Sequence, residues 1–242
     1  AQFIVMSILV MRIFVTKKEN VLKGIQLFEK IPPKYVRGIC KIGIPTALQG
    51  MAYCMISMVL TRMVSGFGAE AIATQRVGGQ IESVSWNTAD GFGAALNAFI
   101  GQNYGAGKMD RVKKGYRASL ITVGVWGLFI TFLFVCFPEQ ISGVFFHEPT
   151  AIATAVGYMI IIGYSEAFMS VELMTVGALS GLGKTHLCSV ISITLTSARI
   201  PLAILLSSTA LGLLGIWWAL TATSVVKGIV FVMAFYWITA RM

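Results

Sequence analysis

Six ionisable side chains stand inside apolar stretches of this chain: Glu82, Asp90, Glu166, Glu172, Arg199 and Lys227. A charge at membrane depth costs at least a few kcal/mol, so each one requires a partner, a water-filled cavity or a task. Four acids and two bases sharing a cavity could bind a cation or carry protons, because a buried carboxylate is tunable by its surroundings. Glu172, Glu82, Asp90 and Glu166 are therefore the candidates for cation or proton coupling. The competing reading is structural: ion pairs such as Glu172 with Lys227, or Asp90 with Arg199, that hold helices together. Arg199 precedes Pro201, where a broken backbone bond needs a neighbour, and this favours the structural role for it. Gln49, Tyr53, Met55 and Asn87 are the candidates for lining a substrate cavity. Met51, Met55, Met58 and Met63 repeat at near-helical spacing, either as core or as an adaptable apolar wall.

The elements that position these residues are long apolar helices. Of 242 residues, 56% are hydrophobic and 12% charged, about half the charge of a soluble domain, and the mean hydropathy is +0.79. Several apolar stretches exceed the roughly 20 residues needed to cross a bilayer. The expected spans are 42–66, a long glycine-rich one from about 70 to 103, then 116–137, 151–179, 187–206 and 216–238. Residues 1–16 read as the end of a preceding transmembrane helix, so the chain reads as starting inside one. Residues 17–41 read as a cytoplasmic connection and 42–242 as a six-helix lobe. Small residues at Gly91, Gly93, Ala94, Ala95, Ala98 and Gly101 should let another helix approach closely. The loop 104–117 carries Lys108, Arg111, Lys113, Lys114 and Arg117 against Asp110, and the positive-inside rule holds such a loop in the cytoplasm. The stretch 138–150, with acids and no Lys or Arg, is expected outside.

This pattern excludes several classes. The net charge of +9 comes from basic residues between spans, which is a topology signal and not a nucleic-acid patch. Cys40, Cys54, Cys136 and Cys188 have no metal or redox spacing. No Ser-His-Asp set and no metal-binding His pair is present, and Gly181-Leu-Gly-Lys-Thr lacks the spacing of a phosphate loop. An enzyme, a cofactor and a bound metal are not expected. The five tryptophans are expected near helix ends in an interfacial belt.

Several motifs, in this order and spacing, resemble the C-terminal half of a MATE (multidrug and toxic compound extrusion) transporter. They are Phe67-Gly-Ala-Glu-Ala-Ile-Ala, Gln80-Ile-Glu-Ser, Ile100-Gly-Gln-Asn-Tyr-Gly-Ala-Gly-Lys, Gly177-Ala-Leu-Ser-Gly-Leu-Gly-Lys-Thr, Arg199-Ile-Pro and Leu213-Leu-Gly-Ile-Trp-Trp-Ala. The resemblance implies an all-α polytopic membrane protein of twelve helices in two six-helix lobes, of which this chain is the second lobe plus the end of the helix before it. It implies export of small organic cations or drugs in exchange for Na⁺ or H⁺ by alternating access. It also implies a multi-pass place in the inner (plasma) membrane, with lipid and the N-terminal half as partners. The family's acid on the first helix of this lobe has no counterpart in 42–66, Glu82 follows Gln80 where relatives carry Arg, and Glu172 lies near an acid of the matching family helix. Alternatives are a flippase for lipid-linked precursors, which would use Arg199 and Lys227 to meet a phosphate, and a non-transporting membrane scaffold.

Overall fold

Apolar runs punctuated by glycine and proline fold into helices throughout the computed structural model, which describes residues 2–15 and 32–242. The helices are α1 (Gln2–Val15), α2 (Pro33–Ser65), α3 (Ala69–Gly105), α4 (Met109–Cys136), α5 (Pro138–Phe145), α6 (Pro149–Gly163), α7 (Glu166–Gly181), α8 (Thr185–Ser197), α9 (Arg199–Ser207) and α10 (Leu213–Ala240). No strand occurs among the described residues. The chain divides into two compact units, 1–41 and 42–242. The first holds α1 and the opening turns of α2, and most of the expected connection 17–41 lies outside the described residues. The second unit is the lobe.

Among the described residues, α2, α4, α8 with α9, and α10 are long and apolar enough to cross a bilayer, and α6 with α7 qualifies as one span bent by 50°. The 37 residues of α3 reach about 55 Å, so it has the length of a span while its glycine and polar residues dilute its apolarity.

Several expected boundaries move. The span expected from residue 42 starts earlier, with Pro33 in the first turn of α2, where its missing N–H costs no helix bond. The loop expected over 104–117 shrinks to 106–108, because Gly107 takes φ 71 and makes the turn. Arg111, Lys113, Lys114 and Arg117 are good helix formers and join α4, with Asp110 in its first turn. The stretch 138–150, expected as a loop between spans, contains α5, begun by Pro138.

The lobe is packed around α7. Its most extensive neighbours are α3, α4 and α10. The α3–α7 crossing is a backbone contact: a Cβ on Gly177 would lie 2.2 Å from the Gly93 carbonyl oxygen. Of the small residues expected to mediate a close approach, Gly93 is buried and Gly101 lies against Gly181, whereas Gly91, Ala94, Ala95 and Ala98 are exposed. The principal core fills the end of the lobe where Tyr116 stacks on Phe235 at 3.6 Å. A second core joins Ile56, Leu60 and Val64 of α2 to Ala71, Ala203, Ile216 and Ala219. Beyond that patch α2 makes few close backbone approaches to the other helices, and the space it leaves becomes the site. The tryptophans do not form a simple belt: Trp217 is fully buried with Tyr158 edge-on at 5.0 Å, while Trp218 and Trp237 are exposed.

Candidate functional site

Two helix breaks bring polar groups to mid-depth. The first separates α6 from α7 at Gly163-Tyr164-Ser165. A break there frees backbone carbonyls that lipid cannot satisfy, and side chains take over. Thr131 of α4 donates to the Gly163 carbonyl at 2.9 Å, Thr221 of α10 donates to Ile161 at 2.8 Å, and Ser165 donates to Ile162 at 2.9 Å. The break makes Glu166 the first residue of α7, where the helix N-terminus favours negative charge. The second break, at Ala198, precedes Pro201, which has no N–H to continue the ladder. It places Arg199 at the head of α9.

The charged residues sort into two clusters. In the first, Lys227 Nζ meets Glu172 Oε1 at 2.7 Å. Arg199 lies close enough to act electrostatically on Glu172, Glu82 and Tyr53. Its guanidinium donates from Nε to Thr223 at 2.9 Å and from Nη2 to Ser224 at 2.8 Å. In the second, the Tyr158 hydroxyl donates to Glu82 Oε1. Glu166 is fully buried, and neither of its carboxylate oxygens has a hydrogen-bond partner. Glu82 acts on Glu166 electrostatically, and the Ser85 hydroxyl is the donor nearest to it, although the two do not reach hydrogen-bonding geometry and both stay buried without a partner.

A cavity of about 400 Å³ lies between α2 and the rest of the lobe, lined by Gln49, Tyr53, Trp86, Glu172, Arg199 and Lys227 among others. A second space of about 200 Å³, with Glu82, Gln75 and Tyr158 on its wall, adjoins it and shares Tyr53, Trp86, Met169, Thr196 and Arg199. The spaces therefore connect the two clusters.

Of the coupling candidates, Glu172 lines the larger space and Glu82 the smaller, while Glu166 is buried beside Glu82 without bordering either. Asp90 is exposed and borders neither space. The alternative pairing of Asp90 with Arg199 is not formed, because Thr223 and Ser224 hold the guanidinium; the pairing of Glu172 with Lys227 is formed. Of the cavity candidates, Gln49 and Tyr53 line the larger space. Met55 is exposed and turned away from both, and Asn87 is exposed with its amide donating to the Ser83 carbonyl at 2.7 Å. Met51 and Met58 are exposed too, whereas Met63 packs on the α2 core patch. Tyr158 is the residue sequence reasoning missed. A phenol within an apolar span needs a partner for its hydroxyl, and that requirement was the available signal. Among the described residues no cluster of three or more His, Cys, Asp or Glu could hold a metal ion.

These features define a polytopic helical membrane protein whose bundle encloses a charged cavity at mid-depth. The chain belongs to the MatE family, whose model matches residues 45–205. It is similar to "Probable multidrug resistance protein NorM" of Thermotoga maritima, 30% identical over 228 residues that make up 90% of this chain and 47% of the relative. The chain thus spans about half the length of the curated relatives it matches. Its fold is shared with a MATE protein crystallised in the straight conformation, at TM-score 0.85 and 18% identity, covering 98% of this chain and 54% of that one. It is also shared with a MOP-superfamily transporter from Pyrococcus furiosus described as having a binding pocket of reversed polarity, at TM-score 0.74 and 20% identity over 88% of this chain and 47% of that one. Members of the family are membrane transporters and not enzymes.

Proposed function

We propose that this chain is the C-terminal lobe of a cation-coupled exporter of small organic cations and drugs, placed in the inner (plasma) membrane and completed by an N-terminal lobe. The observation that carries the reading is Glu166: a fully buried carboxylate without a hydrogen-bond partner, set beside a second carboxylate, Glu82. Two carboxylates so placed repel one another and are expensive to keep charged. A proton or a Na⁺ ion relieves that repulsion and supplies the partner that Glu166 lacks. Binding it favours one arrangement of the helices around the cavity and release favours the other, which is the requirement for alternating access. In this scheme Glu82 and Glu166, with Tyr158 donating to Glu82, carry the coupling ion. Glu172 and Lys227 form the fixed pair of the cavity wall, and Gln49 and Tyr53 face the substrate.

The test is efflux of a fluorescent organic cation from vesicles containing the full-length protein, under separately imposed Na⁺ and H⁺ gradients. One gradient drives export in the wild type. Glu166→Gln and Glu82→Gln each reduce driven export about tenfold or more, equivalent to about 1.4 kcal/mol in the limiting step. Unchanged driven export in both variants rules out this assignment. A second reading, a flippase for phosphate-bearing lipid-linked precursors, is favoured by Arg199 and Lys227 on the cavity wall. The described reversed polarity of the Pyrococcus furiosus pocket makes it worth testing. It requires transport of an anionic substrate and indifference to both gradients.

A further inference from the structure

On the flank of the lobe away from the charged clusters, α4, α7 and α10 leave a groove of about 380 Å³ lined by Gly124 and Leu128 of α4, Phe168 and Val171 of α7, and Ile229 and Met233 of α10, among others. None of its lining side chains is polar. Its floor is fixed by close packing: Cβ atoms built on Gly127 and Gly228 would lie 2.6 Å from Ala167 Cα and 2.7 Å from the Phe168 carbonyl oxygen. Gly124 differs. A Cβ there meets nothing within 4 Å, and its φ is not positive. Neither packing nor backbone conformation requires glycine at this position, which costs about 1 kcal/mol of helix propensity relative to Ala. It keeps open the space in which the groove lies.

Beyond the groove, the same two helices α4 and α10 carry a basic edge. The stacking of Tyr116 on Phe235, with Tyr236 edge-on to Tyr116 at 5.7 Å, brings the start of α4 beside the end of α10. Arg117 and Arg241 stand at these two ends, both exposed. Arg241 lies over the exposed Trp237 ring at 3.9 Å. Lys113 and Lys114 add charge on the same turns of α4. Among the described residues, the Lys227–Glu172 contact is the ion pair present, so neither arginine is neutralised by an acid. Along α4, Gly124 lies about 10 Å deeper than Arg117, and along α10, Met233 lies about 12 Å deeper than Arg241. Both flanks thus give the same offset between charge and groove. An apolar slot at bilayer depth beneath unpaired arginines at one membrane face matches the two parts of one molecule: an acyl chain below and a negatively charged headgroup above.

We propose that this groove is a binding site for an anionic phospholipid, its acyl chain seated over Gly124 between α4, α7 and α10 and its phosphate held by Arg117 and Arg241. The site depends neither on the coupling residues nor on which face of the membrane the basic edge occupies.

The test uses the full-length protein reconstituted in vesicles of equal parts phosphatidylglycerol and phosphatidylcholine, extracted in detergent, with retained lipid counted by native mass spectrometry. The wild type retains phosphatidylglycerol in preference to phosphatidylcholine. Arg117→Gln with Arg241→Gln lowers that retention by about fivefold per arginine, and these exposed changes leave folding intact. Gly124→Leu fills the groove where a Cβ meets no protein atom within 4 Å and gains helix propensity, so thermal unfolding is unchanged or slightly raised while retained phosphatidylglycerol falls. Equal retention of the two lipids by the wild type overturns the proposal. So does undiminished phosphatidylglycerol on either the arginine variant or the Gly124→Leu variant.

Discussion

Glu172 and Glu166 stand less than two turns apart on one helix, both buried, in opposite circumstances. Glu172 has a lysine at 2.7 Å and borders the larger cavity. Glu166 has no hydrogen-bond partner and has another carboxylate for a neighbour. The difference teaches that depth alone does not mark a functional charge. A buried ion pair is complete and loses by change, whereas an unpaired buried acid is incomplete and gains by taking up a cation. The offset arises from the break at Gly163-Tyr164-Ser165, which makes Glu166 the first residue of α7 while Glu172 sits further along, opposite Lys227.

The largest effect that would break this comparison is expected at the pair. Lys227→Met leaves the Glu172 carboxylate stranded and should destabilise the full-length protein by about 3–5 kcal/mol, read by thermal unfolding. Adding Glu172→Gln removes the stranded charge and should restore most of that loss together with driven export. A double variant that stays stable but exports nothing would move the coupling role back to Glu172. The next effect concerns the tyrosine of the other cluster. Tyr158→Phe removes a hydrogen bond to a carboxylate, worth roughly 1.5–3 kcal/mol, while Tyr116→Phe removes the neutral bond to Thr175 at 3.0 Å, worth roughly 0.5–1.5 kcal/mol. Unfolding curves for the two should separate in that order, and equal losses would argue that Glu82 is not charged when it accepts from Tyr158. The smallest effect tests the break itself. Thr131→Val uncaps the Gly163 carbonyl and should cost about 0.6 kcal/mol, the usual worth of one interhelical hydrogen bond in a membrane.

Much of the lobe was legible because bilayer helices must be long and apolar, and the runs ending near Gly105, Cys136 and Ala240 show this directly. Helix starts were less legible. Met109–Arg117 is basic, which hydropathy reads as loop, yet the same residues favour helix and need only the turn at Gly107. The α6–α7 break was invisible for a different reason. Gly163-Tyr164-Ser165 is a weak breaker by composition, and what stabilises it is supplied from afar by Thr131 and Thr221, 32 and 60 residues from the carbonyls they cap. The candidate site was legible as a set of charges but not as partners. Spacing along the chain offered Arg199 to Asp90 as readily as Lys227 to Glu172, and only the packing of α10 on α7 decided between them. Asp90 followed from position along α3, but depth does not specify which way a helix face turns.

The standing of α2 away from its neighbours gives the cavity one yielding wall and one stiff wall. Across the stiff wall, α3 and α7 touch backbone to backbone at Gly93 and Gly177, so closer approach meets immediate steric resistance and separation breaks close packing along both helices. On the other wall, Gln49 and Tyr53 hang from a helix anchored mainly through Ile56, Leu60 and Val64. Tilting α2 about that anchor changes the cavity's width at the cost of side-chain contacts alone. Such a tilt leaves the geometry of the charged groups on α3, α7 and α10 in register, so the width of the cavity and the chemistry of its wall are set by separate elements.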